Sequence, residues 1–136
     1  MTWQYNGQEF TEDMIGDSYG YVYIIVNKTN NRKYIGKKFF SKAGYKTVKG
    51  KRKKIRKASD WLLYYGSNKE LQEEVKVLGA DNFSREILYL CKSRSECSYR
   101  ETMEILNRGA LLTEDYYNSW VSCKIHKAHV FGKVVI

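Results

Sequence analysis

Between Gly20 and Val26 the chain reads GYVYIIV, an alternating run rich in Tyr, Val and Ile that suits a half-buried β-strand. The polar segment NKTNN then supplies turn chemistry, and RKYIG reads as the returning strand, so the pair predicts a β-hairpin. From Ser67 the period becomes helical. Ser67 and Glu70 have capping-box spacing, Leu71, Val75 and Leu78 recur at helical intervals, and Gly79 offers a left-handed stop. NFSREILYLC predicts a further strand with Phe83, Ile87 and Tyr89 on one face. Ser93 and Glu96 make a second capping box, opening a helix that runs to Arg108, stops at Gly109 and carries an apolar stripe of Tyr99, Met103, Leu106 and Ala110. SDWLLYYGS fits one short helical or turn element, and AHVFGKVVI a last strand. The order strand, strand, insertion, helix, strand, helix describes a small α+β layer with its middle strand buried.

Charge adds what the pattern does not show. The stretch from Lys37 to Ser59 holds eleven Lys or Arg and no Asp or Glu, which leaves a net −2 on the rest of a chain whose total is +9. The basic excess is therefore local, and it argues for a polyanionic partner, since clustered cations gain free energy by releasing counterions from a phosphate backbone. With Gly44 and Gly50 and no apolar period, this stretch reads as a loop or partly ordered excursion. With 136 residues and 15% aromatics, the chain suits a single folded domain, 1–136, with the basic insertion at 37–59.

The acidic start lacks a basic n-region and an apolar h-region, and no apolar run approaches the ~18 residues of a membrane span. The expectation is a soluble, cytoplasmic protein of a bacterial or phage-infected cell, with no membrane partner. Cys91, Cys97 and Cys123 suit reduced thiols better than a disulfide framework. Cys123, His126 and His129 lack the other ligand pair that a tetrahedral zinc site needs.

YVY at 21–23 and YIG at 34–36, followed by a helix, a strand, a helix bearing Glu101 and the late Asn118 of YYN, resemble the GIY-YIG nucleases over about residues 20–120. YIGKK, SDWLLYYGSN and YYNSW resemble small phage-encoded members of the Seg-like homing endonuclease type. The resemblance implies an α+β fold with a short, mainly antiparallel sheet flanked by helices. It also implies metal-dependent endonuclease activity on double-stranded DNA, with one Mg²⁺ or Mn²⁺ per active site. Tyr34 would then orient or deprotonate the attacking water, Tyr23 would support that water through its hydroxyl, and Glu101 would ligate the metal. Asn118 would make a polar contact near the phosphate or the metal's outer shell; read alone, it is equally a turn residue.

The family's catalytic arginine has no single counterpart, because the insertion occupies its place. Arg56, as a bidentate fork, and Lys38, as a point charge, are the favoured substitutes, with Lys37 a further candidate and Tyr65 standing near where relatives have a histidine. The insertion's Lys37, Lys46, Lys51, Arg52, Lys53, Lys54 and Lys57 would bind the DNA backbone without reading sequence. Trp61 either stacks on bases or anchors the loop to the core. A single active site nicks, so a double-strand break would call for a homodimer. Two other readings compete: a non-catalytic basic nucleic-acid-binding module whose tyrosines are structural, and an RNA-associated structural protein.

Overall fold

The computed structural model describes residues 2–135. The strongly apolar run becomes β3 (Gly20–Asn27), almost entirely buried because it is hydrogen-bonded on both sides. Strand β1 (Gln4–Tyr5) turns back into β2 (Gln8–Glu9) through Asn6 and Gly7, both at positive φ. That Asn-Gly turn is a hairpin signal absent from the pattern-based expectations. The sheet is completed by β4 (Lys33–Phe39) and β7 (Phe83–Cys91), and its order is β2-β1-β7-β3-β4. All pairings are antiparallel except β1 with β7, so the fold is α+β with a mainly antiparallel sheet, as expected.

One face of the sheet carries an aromatic cluster built from Trp3, Phe10, Tyr21, Tyr23, Phe40 and Trp61. The other face packs on α2 (Arg94–Asn107) through Val22, Ile24, Ile35, Cys97 and Ile105. Helix α1 (Lys69–Leu78) adds Leu71 to the aromatic side. Among the described residues no helix is long and apolar enough to cross a membrane, and the three cysteines are free.

Several sequence expectations are corrected. The basic stretch is not a loop but a two-stranded antiparallel ribbon, β5 (Ser41–Val48) and β6 (Lys51–Ala58), turning at Lys49 and Gly50, both at positive φ. Hydrophobic alternation could not reveal it, because neither of its faces is buried. The predicted last strand is instead the short helix α3 (Lys127–Val130). Helix α1 is capped by the Asn68 side chain, which accepts from Leu71 N–H, so Ser67 is left outside the cap.

Tyr89 leaves the face of Phe83 and Ile87. The register between β3 and β7 shifts between Val22 and Tyr23, and the extra residue, Leu88, inverts the alternation beyond it, so that Tyr89 and Cys91 face α2 while Leu90 packs on the aromatic side. On α2 the buried positions are Cys97 and Ile105, whereas Leu106 of the expected stripe is 60% exposed. Glu101 sits midway between the two buried residues, four positions from each, on the packed side of the helix.

Across the first hairpin Tyr23 pairs with Gly36, and Ile25 with Tyr34. Directly opposed residues share a face, so the Tyr23 ring lies over Gly36. A Cβ there would overlap the Tyr23 hydroxyl and ring. Gly36→Ala should therefore cost about 1–3 kcal/mol as overpacking, read as a lower urea midpoint at unchanged m-value. A wild-type midpoint would mean the two strands can separate to admit a methyl group.

Candidate active site

Strand β4 ends the sheet, so its outer backbone groups need partners from outside it. The segment after α2 supplies them. Lys33 N–H donates to the Asp115 carbonyl at 2.9 Å, and Tyr117 N–H donates to the Lys33 carbonyl at 2.7 Å. One step on, a side chain replaces backbone: Ile35 N–H donates to Asn118 Oδ1 at 3.0 Å, and Asn118 Nδ2 donates to the Ile35 carbonyl at 2.9 Å. Asn118 thus imitates one residue of a neighbouring strand.

The segment is fixed from behind by Tyr117. Its hydroxyl donates to Glu74 and accepts from Asn27 Nδ2 at 3.1 Å. The Arg32 guanidinium stacks over its ring at 4.1 Å, and Asn68 Nδ2 donates to its carbonyl at 3.0 Å.

Beside this seam opens a cleft of about 380 Å³. Tyr34 and Ser67 line it from the aromatic side of β4, with their hydroxyls 3.0 Å apart. Lys37, three residues on and therefore on the opposite face of the strand, lines it together with Glu101. Lys37 Nζ lies 3.5 Å from Glu101 Oε1 and donates to Ser98 Oγ at 3.2 Å. Asn118 and Trp120 border the same space. An edge strand makes this convergence achievable, since side chains from both of its faces can curl around the free margin.

Burial sets the electrostatics. The Glu101 side chain is 17% exposed, and this desolvation raises its pKa above the usual carboxylate range, only partly opposed by Lys37. The Tyr34 phenol is also raised by burial, against a lowering from its bond with Ser67, so it holds its proton at neutral pH.

Other candidates lie elsewhere. Tyr23 is fully buried, packed between Tyr34 and Tyr64 with ring centroids at 6.2 and 6.0 Å, and its hydroxyl does not open into the cleft. The expectation set the Tyr23 hydroxyl beside the attacking water; the structure places its ring behind that of Tyr34. Lys38 pairs with Asp60 at 2.6 Å and covers the Tyr64 ring at 4.0 Å, on the aromatic face. Arg56 is at the base of the ribbon, where Nη2 donates to the Ser41 carbonyl at 2.9 Å and to Ser41 Oγ at 3.0 Å, and it does not line the cleft.

Trp61 is 5% exposed and accepts the Trp3 indole N–H on its carbonyl at 2.8 Å, so it anchors the core and offers no face to a base. Tyr65 is covered by the buried Arg85 guanidinium at 4.2 Å, which also ties down the Leu62 and Tyr64 carbonyls. The remaining basic candidates, Lys46, Lys51, Arg52, Lys53, Lys54 and Lys57, all stand exposed on the ribbon.

A family model described as "Putative endonuclease segE, GIY-YIG domain" matches residues 3–121. The chain belongs to this GIY-YIG endonuclease family. It is similar to a curated relative named "Putative endonuclease segE" of Enterobacteria phage T4, with 33% identity over 102 residues. That match takes in 74% of this chain but spans only 40% of the relative's length. No solved structure matches the chain.

Within this GIY-YIG domain the family triplets have distinct places: the YIG tyrosine lines the cleft while Tyr23 packs behind it. Ser67, Asn68 and Trp120 are cleft residues that sequence reasoning did not select. Ser67 was absorbed into a helix cap, and only its SerAsn pairing with a second cap residue hinted otherwise. Trp120 is 72% exposed, a rare state for an indole beside a polar cleft.

Two outcomes follow from this geometry. Asn118→Ala should leave Ile35 N–H and C=O without partners, costing about 1–3 kcal/mol and removing hydrogen-exchange protection at the Ile35 amide. Asn118→Asp keeps the acceptor and should retain that protection.

Glu101→Gln tests the burial cost of the carboxylate. A carboxyl whose folded pKa is raised favours the folded state while protonated, and this contribution is lost as pH rises through the raised pKa. The Gln variant should therefore be at least as stable as wild type at pH 7, and its advantage should shrink as pH falls through the carboxylate range. Thermal melts across pH 3–8 make the comparison; a constant difference would contradict it.

Proposed function

We propose that this GIY-YIG domain hydrolyses phosphodiester bonds of double-stranded DNA in the cleft at the β4 edge, aided by one hard divalent cation held by Glu101. The observation that carries the proposal is the meeting of the Tyr34 phenol with the Lys37–Glu101 pair around one strand margin. The donor chemistry fits such an ion. Glu101 offers one carboxylate in a cleft with room for waters and substrate oxygens, the ligand mixture that Mg²⁺ and Mn²⁺ take beside phosphates. When bound, the cation would neutralise charge on the phosphate oxygens and make a coordinated water more acidic.

The protein's own groups divide the remaining work. With its proton retained at neutral pH, Tyr34 acts as a hydrogen-bond donor that orients the attacking water or a phosphate oxygen, and Ser67 Oγ sets the direction of that hydroxyl. The attacking water forms the new P–O bond as the bond to the leaving oxygen breaks, and the proton that the water gives up passes through solvent in the cleft to the leaving oxygen. Lys37 supplies fixed positive charge at the phosphate, a point charge in place of a bidentate arginine. Asn118 is a positioning residue, since both ends of its amide are committed to Ile35. Trp120 offers a π-face at the cleft's border on which a nucleobase next to the cut can stack. One cleft cuts one strand, so breakage of both strands takes a second copy or a second event.

A supercoiled-plasmid nicking assay with Mg²⁺ or Mn²⁺ tests this. Glu101→Gln should bind duplex DNA like wild type and fail to nick it, and Tyr34→Phe should slow nicking about 10²–10⁴-fold. Duplex binding without nicking across a broad metal and pH screen would leave a non-catalytic nucleic-acid-binding module instead.

A further inference from the structure

The ribbon of β5 and β6 poses a physical problem. Two-stranded ribbons are marginal in water, yet this one stands apart from the main sheet and sets like charges directly opposite each other, Lys42 against Lys57 and Lys46 against Lys53. Such pairs are destabilising unless something anionic lies between or over them. The register also sorts the cations by type. Opposed residues share a face, so Lys42, Lys46, Lys51, Lys53 and Lys57 all fall on one face, and both arginines, Arg52 and Arg56, fall on the other with Lys54.

The arginine face differs in texture as well as in charge. Next to its cations it carries the small or short residues Ser41, Ala43, Thr47 and Ala58, so a flat surface can approach its backbone. Near the tip, the Arg52 guanidinium carbon lies 4.0 Å over the centroid of the Tyr45 ring, a contact that restrains the guanidinium while Tyr45 itself remains 51% exposed. Arg56, tied to Ser41 at the root of the ribbon, is not available in the same way.

We propose that the ribbon lies in the major groove of duplex DNA with its Arg52 face toward the base edges and its lysine face reaching the flanking phosphates, so that Arg52 confers a preference for guanine. This rests on the reading of DNA as substrate and goes beyond backbone binding. Eight-residue strands extend roughly 25 Å, and the major groove, about 12 Å wide, admits a two-stranded ribbon. An arginine whose guanidinium is restrained by a ring is suited to the paired O6 and N7 acceptors of guanine. The placement is also continuous with the cleft. Lys37 lines the cleft and, with Ser41 and Lys42, a second hollow at the ribbon's root, so a basic path runs from the proposed scissile phosphate to the groove reader. The root is firm, since Phe40 is buried and Ser59 N–H donates to its carbonyl at 2.9 Å.

The test uses binding without divalent metal, so it does not depend on cleavage. Binding sites selected from randomised duplexes are probed by guanine N7 methylation interference with wild type, Arg52→Lys, and a Lys46→Ala/Lys53→Ala double variant. N7 methylation should block wild-type binding at one or two guanines, and this block should vanish in Arg52→Lys while affinity falls about 5- to 100-fold on the preferred site. The double lysine variant should keep the guanine preference, weaken binding on all sequences, and flatten the dependence of log K on log salt by about 0.9 per lost phosphate contact. All these positions are exposed, and circular dichroism checks that the fold is kept.

Absence of any interfering guanine, an unchanged pattern in Arg52→Lys, or equal affinity for duplex RNA, whose major groove is too narrow for a ribbon, would each overturn the proposal. Guanine-selective binding by a protein that never nicks would keep the ribbon's role and remove the nuclease reading. Nicking with no groove signal would do the reverse.

Discussion

The Tyr23 ring lying across Gly36 is the contact on which the rest of the molecule depends. It joins the most buried strand to the edge strand at the position where β4 carries no side chain. Because Gly36 has no Cβ, the aromatic layer closes directly over β4. Tyr34, two residues earlier on the same face, is thereby packed against Tyr23 and its hydroxyl is carried to Ser67. A bulkier residue at 36 would push the layer away and take the phenol with it.

The site is assembled at a margin. An edge strand exposes unpaired backbone, which proteins usually blunt. Here the blunting and the cleft share one segment: Tyr117 and Asn118 close the seam along Lys33 to Ile35, and the chain that follows brings Trp120 to the border of the cleft. Glu101 comes from beneath, from a helix face otherwise occupied by Cys97 and Ile105. A carboxylate between two buried apolar residues is costly to ionise, and its raised pKa records that cost. Lys37 offsets part of it. The fold thus tolerates a destabilising charge at the place where a cation and a phosphate would meet.

The basic ribbon obeys different physics from the body. Its strands bury almost nothing and its charges repel, so its shape comes from the turn at Lys49 and Gly50 and from the clamp of Phe40, Ser59 and Trp61 at its root. Arg85 is the reverse case, a cation taken into the core and spent on two loop carbonyls and two aromatic rings. Lysine and arginine content alone could not distinguish these uses.

What the chain declares by itself is the part governed by local chemistry. The hairpin of β3 and β4, the strand β7, both principal helices and the family triplets are legible because apolar period, caps and turn residues act within a few positions of one another. The basic character of residues 37–59 is legible from composition alone. What needed tertiary structure is everything that depends on partners distant in sequence. The bulge in β7 turned Tyr89 to the other face, burial removed Tyr23 and Trp61 from contact with solvent, and neighbours across strands decided which cation faces Glu101. Lys37 and Lys38 are adjacent and chemically alike, yet the pleat sends one to the carboxylate and the other to Asp60 and Tyr64. Side-chain direction in a strand alternates with every residue, so only the register, which is set by the whole sheet, could assign them.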